Sequence, residues 1–369
     1  MKKIILLFNI LSVILFAGCF NYKDIDRVIF ATAIIVDVDD NNNPVVYEEA
    51  FKASRGGQGS SEKGQRVLFK STGKTMFEVL RDINLSSSYK INYTQIKGII
   101  FTQKVAEKGL DKFIDIFDRG QELVIRSQIV IYNGDPSKLL NVKLKEQDYI
   151  GLFISDLIYN IRTSSRGVSI TLNDFLNKNY TNDNAIAVTM IGLKKDQLED
   201  KIEISNAAII KNYKMVSELK RDEGEAYNFL INTIQGGSME VSNPDHKDDF
   251  VSLEIVKNKT ETQISYDGKS VKVKKIINTK TCIAEVQKSF NFNKKTLDEL
   301  QKNAESNIEK QCSKLFDDYK KKGIDIFNVT EDFHRSYPRE KLENIMSKTE
   351  LDIEPHVIIE GSTDITSFR

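Results

Sequence analysis

The sequence predicts an α+β protein of more than one domain, with packed helices on mixed sheets and a C-terminal antiparallel sheet lying against one long helix. Three observations predict it. Between about residues 28 and 150, short β-branched runs alternate with segments of helical spacing. Between 250 and 290, strand-like runs follow one another, with the turn signal Asp267-Gly268 separating two of them. Finally, Leu297, Leu300, Ala304, Ile308, Cys312, Leu315 and Tyr319 recur at three- and four-residue steps. They form the apolar stripe of a helix of about seven turns, which Gly323 ends.

The chain opens on Met1-Lys2-Lys3 and an apolar run from Ile4 to Phe16, interrupted only by Asn9 and Ser12. Such a run is short for a bilayer span and has the charge and length of a secretory signal. It ends in Leu15-Phe16-Ala17-Gly18-Cys19. Small residues before a cysteine give a signal peptidase access to the bond, while the thiol takes up a diacylglyceryl group. Residues 1–18 are therefore expected to be removed and Cys19 to be lipidated. Two acyl chains anchor stably where one is marginal. No apolar run after Cys19 is long enough to span a bilayer, so the expectation is a tethered chain on the outer face of a membrane.

Along the mature chain, Val28 to Val38 and Val45 to Lys52 read as strands around the turn at Asp39 to Pro44. The Gly- and Ser-rich stretch Arg55 to Gln65 reads as a loop, with a short strand at Val67 to Lys70 after it. Helices are expected at Thr75 to Leu85, Val105 to Phe117, Asp135 to Leu140, Ile150 to Arg162 and Thr171 to Leu176, and strands at Ile99 to Thr102 and Leu123 to Tyr132. Strands follow at Ala185 to Leu193 and Lys201 to Ile204, and a hairpin at Ala207 to Leu219 across Asn212-Tyr213. A helix from Asp222 to Ile234 is stopped by Gly236-Gly237. Strands at Phe250 to Lys257, Glu261 to Tyr266, Val271 to Thr279 and Thr281 to Phe290 precede the long helix, and a last helix is expected near Arg339 to Ser347, flanked by Asp325 to Phe327 and Glu354 to Glu360.

Composition narrows the function. In 369 residues, Lys+Arg and Asp+Glu both total 53, and this zero balance argues against a nucleic-acid partner, which calls for a net basic face. Beyond Cys19 only Cys282 and Cys312 remain, with neither metal-ligand spacing nor a CxxC pair; they read as two buried apolar thiols, with a Cys282–Cys312 disulfide as the alternative. Asp37, Asp39, Asn41 and Glu48 stand at positions one, three, five and twelve of a calcium-loop pattern. Asn42 occupies the position that wants Gly, Pro44 interrupts the loop and the flanks are strands, so a solvated hairpin turn is the expectation and no metal is assigned. His246, His334 and His356 have no nucleophile or orienting acid nearby in sequence, and no GxSxG, HExxH, P-loop or GxGxxG is present. No catalytic residue and no cofactor is expected.

The order of motifs resembles the Ger(x)C family of spore germinant-receptor lipoproteins over essentially the whole chain. The resemblance begins with Cys19, Asp24-Ile25-Asp26 and the strand ending Ile35-Val36-Asp37-Val38-Asp39. It continues through Ser71 to Glu78, Ile99 to Thr102, Gly109-Leu110, Phe113 to Phe117, Arg126 to Tyr132 and Gly134 to Leu140. The hairpin Ile204 to Leu219, the stretch Lys322 to Phe327 and Tyr337-Pro338 carry it to the tail, with departures at Asn206, Ile210, Ser217 and Lys341-Leu342.

What the resemblance implies is a non-enzymatic C subunit of a germinant receptor, held on the outer face of the spore inner membrane through diacylglyceryl-Cys19. Its partners would be an A-type and a B-type membrane subunit. The family organisation would place an N-terminal domain at 19–186, a small middle domain at 187–205 completed by residues 53–68, and a C-terminal domain at 206–369. Two other readings compete. A lipid-anchored substrate-binding protein of a transporter would have two doubly wound lobes, against which the antiparallel tail argues. A surface hydrolase would need the motifs that are missing.

Overall fold

A computed structural model describes residues 27–52, 64–120, 126–180, 185–195 and 200–362. The expected loop at 55–65, the start of the strand expected at 123–132 and Cys19 itself lie wholly or largely outside these residues. Two sheets organise the chain, and both have helices packed on them, the α+β arrangement expected.

The first sheet begins with β1 (Val28–Val38), β2 (Pro44–Lys52) and β3 (Gln65–Thr72). Then come α1 (Met76–Ile83), β4 (Lys90–Asn92), β5 (Gly98–Thr102), α2 (Gln103–Lys108), α3 (Asp111–Arg119) and β6 (Gln128–Tyr132). After α4 (Pro136–Asn141), α5 (Ile150–Asn160) and α6 (Leu172–Tyr180), the strands β7 (Ile186–Lys195), β8 (Asp200–Lys211) and β9 (Lys214–Leu219) complete it. The strand order is β3-β2-β1-β5-β6-β7-β8-β9, with β4 beside the start of β1. The central pairs β1–β5, β5–β6 and β6–β7 are parallel, and the outer pairs are antiparallel.

The unbroken apolar run of β1 follows from its position, because a central strand is covered on both faces. Ile34 and Val36 face the core shared with α1, α2, α3 and α6, while Ala33 and Ile35 face α4 and α5. Local chemistry sets where the helices start. The Thr75 hydroxyl accepts from the Glu78 N–H, and the Glu78 carboxylate accepts in return from the Lys74 N–H at 2.7 Å. Asp135 accepts from the Ser137 N–H, with Pro136 at the first helical position. The helix expected over 105–117 is two helices, because Gly109 at φ 130° breaks the run.

The second sheet follows α7 (Gly224–Leu230) and has the order β10-β11-β12-β13. Its strands are β10 (Ser238–Ser242), β11 (Phe250–Tyr266), β12 (Val271–Val286) and, after α8 (Lys294–Lys322) and α9 (Val329–Ser336), β13 (Thr349–Ser362). The first three are antiparallel, and β13 returns parallel to β12 once the long helix has crossed over. The stripe from Leu300 to Tyr319 is buried against this sheet, and Gly323 ends α8 in the left-handed conformation.

Several expected boundaries move. The four short strands expected between 250 and 290 are two long ones, each continuing past a register shift near Ile255 or Ile283. The strands expected at 201–204 and 207–211 are likewise one, and β10 had no counterpart in the sequence reading. The helix expected to reach Ile234 stops at Leu230, since Asn232 takes φ 61° and its side chain accepts from the Thr260 N–H. The last helix lies at Val329–Ser336 and not near 339–347. Asp325 accepts from the N–H groups of Phe327, Val329 and Thr330 and so starts the helix there. Over 345–348 only a short 3-10 turn forms, with Ile345 and Met346 buried.

Candidate functional site

Cys19 lies outside the described residues, but the place where its chain joins the fold is defined. Val28 enters β1 alongside Lys90, in parallel register with β4. Among the described residues no helix is long and apolar enough to cross a membrane.

The first unusual interior site is the pair Glu48-Glu49 in the middle of β2, both fully buried. Neighbouring residues on a strand point to opposite faces, and the two carboxylates meet different surroundings. Glu49 is fully engaged. Its oxygens accept from the Thr32 hydroxyl at 2.7 Å, from Arg66 Nε at 2.6 Å, and from the N–H groups of Ile150 and Gly151 at 2.9 and 3.0 Å. A carboxylate thus sits on the positive end of α5 and fixes that helix to the sheet. Glu48 has one partner, the Tyr93 hydroxyl at 3.2 Å, and its Oε1 has none. Burial pushes its pKa up to about 8, so it is a neutral acid at pH 7.

The second site is the seam between the sheets. The segment after α5 carries Arg166, whose guanidinium meets Glu240 on β10 at 2.8 Å. The Asn228 amide on α7 donates to the carbonyls of Ser165 and Gly167, both at 2.8 Å. Glu225 is buried beside them with Oε1 unpartnered, and burial raises its pKa to about 7 against the pull of Arg166. Two clefts of about 270 and 380 Å³ flank the seam and share Ile161, Ser164, Gly167 and Val168, and among the described residues no histidine or cysteine lines either. A third cavity, about 580 Å³, opens between α1, β4 and α3.

The residues that drew attention in the sequence are dispersed. Asp37 accepts from Thr102, Asp39 accepts from the Asn41 and Asn43 N–H groups inside the turn, and Glu48 is sealed in the core. The calcium-loop spacing therefore does not bring its oxygens together. Among the described residues no group of three or more His, Cys, Asp or Glu is placed to hold a metal ion. His246 contacts the Ser289 hydroxyl at 2.8 Å on an exposed loop, His356 contacts Glu354 at 2.9 Å, and His334 packs edge-on to Phe333. Cys282 and Cys312 are free thiols. Cys312 is buried on α8 as expected, where desolvation raises its pKa, whereas Cys282 on β12 is only partly buried, near Glu254.

Sequence reasoning met Glu48 only as the twelfth position of a calcium-loop pattern, and it missed Glu49, Glu225 and Arg166. A signal was present for Glu48 and Glu49: adjacent acids within the otherwise apolar Val45-Val46-Tyr47-Glu48-Glu49-Ala50-Phe51, which breaks the alternation of a half-exposed strand. Arg166 lies in an unpatterned stretch and Glu225 on the helix expected from Asp222, and the two come together only through the packing of the two sheets.

Comparison with known proteins then gives a consistent result. Residues 21–193 match the family described as spore germination protein N-terminal domain, and residues 205–363 match spore germination B3/GerAC like, C-terminal. Spore germination protein GerQC of Bacillus cereus is 25% identical over 323 residues, 87% of this chain and 87% of that protein. Spore germination protein B3 of Bacillus subtilis strain 168 is 24% identical over 310 residues, 81% of this chain and 80% of that one. The crystal structure of the GerBC protein shares the fold, with a TM-score of 0.57 at 17% identity, over 88% of this chain and 96% of that one.

Proposed function

The chain belongs to the Ger(x)C family of spore germination proteins, and we propose that it is the lipid-anchored, non-catalytic C subunit of a germinant receptor, required for nutrient-triggered germination. One observation carries the reading: both halves match the family in order, directly after a segment ending Leu15-Phe16-Ala17-Gly18-Cys19. In this reading residues 1–18 are cleaved and Cys19 bears the diacylglyceryl group. The chain works on the outer face of the spore inner membrane, beside an A-type and a B-type membrane subunit. Confinement to the membrane plane raises its effective concentration near them. The same reading divides the mature chain at 186/187 and 205/206, with residues 53–68 assigned to the small middle unit.

The test is a pull-down of tagged protein from spore inner membrane, wild type against Cys19→Ala, analysed by mass spectrometry. Two membrane subunits should co-purify with the wild type, and the Cys19→Ala chain should leave the membrane fraction. Recovery with a transport permease, or recovery alone, would replace this reading with that of a transporter's substrate-binding protein.

A further inference from the structure

We propose that Asn133, in the loop between β6 and α4, is a site of spontaneous deamidation in the folded protein, converted through a cyclic imide into aspartate and isoaspartate. This chemistry depends on neither the tether nor the receptor reading.

Ring closure has three requirements. The amide nitrogen of the next residue must be free to attack the side-chain carbonyl carbon. The asparagine side chain must be free to turn towards it, and the next residue must leave room for a five-membered ring. Asn133-Gly134 is the one Asn-Gly pair in the chain, and both residues are exposed. Among the described residues, neither the Gly134 N–H nor the Asn133 side chain has a hydrogen-bond partner. The Asn133 N–H is held by the Ile191 carbonyl at 3.3 Å, but that group takes no part in the reaction. Glycine adds no side chain to crowd the ring and leaves the backbone free to rotate into it.

Other asparagines lack this combination. After β1, the Asn42 side chain accepts from Lys108, and the Asn43 amide donates to Asp39 at 3.1 Å. Asn43 and Asn243 are each followed by proline, which has no N–H to give up. The Asp267-Gly268 turn has the spacing to form the same imide by losing water. There the N–H groups of Ser270 and Lys269 hold the Asp267 carboxyl ionised, with a pKa of about 2, and an ionised carboxylate is a poor electrophile.

The step balances with water alone. Gly134 N loses its proton to base and bonds to Asn133 Cγ, and the side-chain nitrogen leaves as ammonia with protons from solvent. Water then opens the imide. Opening at Cγ gives aspartate, and opening at the main-chain carbonyl gives isoaspartate, in which the backbone runs through the former side chain. Either product adds a negative charge beside Asp135, which starts α4. Isoaspartate also adds a main-chain carbon between β6 and α4, the helix whose Leu140 carbonyl accepts from Arg66, the partner of Glu49. Packing keeps the glycine in place: a Cβ at position 134 would lie 2.5 Å from the hydroxyl of the buried Tyr132.

The test uses the full mature chain carrying Cys19→Ala, incubated at neutral and at mildly alkaline pH, in buffer and in denaturing urea. Tandem mass spectrometry of the digest reads each asparagine, and isoaspartyl methyltransferase labelling reads isoaspartate. In buffer, Asn133 should convert ahead of every other asparagine, and faster at the higher pH. Asn133→Gln should lose the isoaspartate label, because the six-membered imide closes far more slowly. Conversion in urea with Asn133 intact in buffer overturns the inference, since the fold would then protect the loop; this comparison needs no variant to fold. A label in buffer that Asn133→Gln leaves unchanged overturns it as well, by placing the isoaspartate elsewhere.

Discussion

Glu48 and Glu49 have the same side chain, one residue apart, and opposite electrostatic fates. Glu49 accepts four hydrogen bonds from three separate elements, whereas Glu48 has Tyr93 alone and is protonated when the fold forms. The linkage has a definite direction. An acid whose pKa rises from 4.5 unfolded to about 8 folded binds more proton in the native state throughout that interval. Its contribution to stability is therefore complete below pH 4.5 and is lost as pH climbs towards 8, at up to about 1.4 kcal/mol per pH unit. Glu48→Gln keeps an oxygen for the Tyr93 hydroxyl and has no proton to lose. Urea unfolding across pH 5 to 8 should show a decline for the wild type that is shallower in the variant; parallel curves would mean that Glu48 is ionised in the fold. The sequence carries the anomaly of two acids in an apolar strand, which its reading passed over, and nothing in it tells which acid is paired. That depends on Arg66 and α5, one of them 17 and the other 101 residues away.

At the scale of elements, α5 shows how close seating limits substitution. Gly151, in its first turn, packs against the backbone of Thr32 on β1, where an added Cβ would run into the carbonyl. Gly151→Ala should therefore push α5 off the sheet and weaken the bonds from Glu49. The expected loss is about 1–3 kcal/mol in thermal or urea unfolding, although alanine is the better helix former. The long helix α8 was legible because burial of one face writes itself into the spacing, and β1 because burial of both faces leaves an unbroken apolar run. The last helix was misplaced because what starts it is the carboxylate of Asp325, buried and bonded to three backbone N–H groups. A single capping side chain outweighed the helix-favouring composition further on.

For the whole molecule, the class of fold and the family were legible, whereas the order of strands and the seam were not, because pairing partners far apart leave no local trace. The clearest case is the hairpin of β7 and β8. Ile186, Val188, Ala208 and Ile210 belong to the core of the first sheet, while Ala187, Ala207 and Ile209 on the opposite face belong to the core of the second. One pair of strands is thus inner wall to two rooms. A chain severed between Lys195 and Asp200 would leave each fragment with an open apolar face that its own half cannot cover. The two pieces, made separately, should associate with or misfold around other proteins, and when produced together they should find one another and rebuild a single complex. Co-purification of the fragments after co-expression, against insolubility of each alone, is the outcome expected, and two independently soluble, monomeric fragments would contradict it. The same wall bears on inheritance: the two halves of such a gene cannot be exchanged freely between relatives, because a half taken from one must fit the face presented by the other.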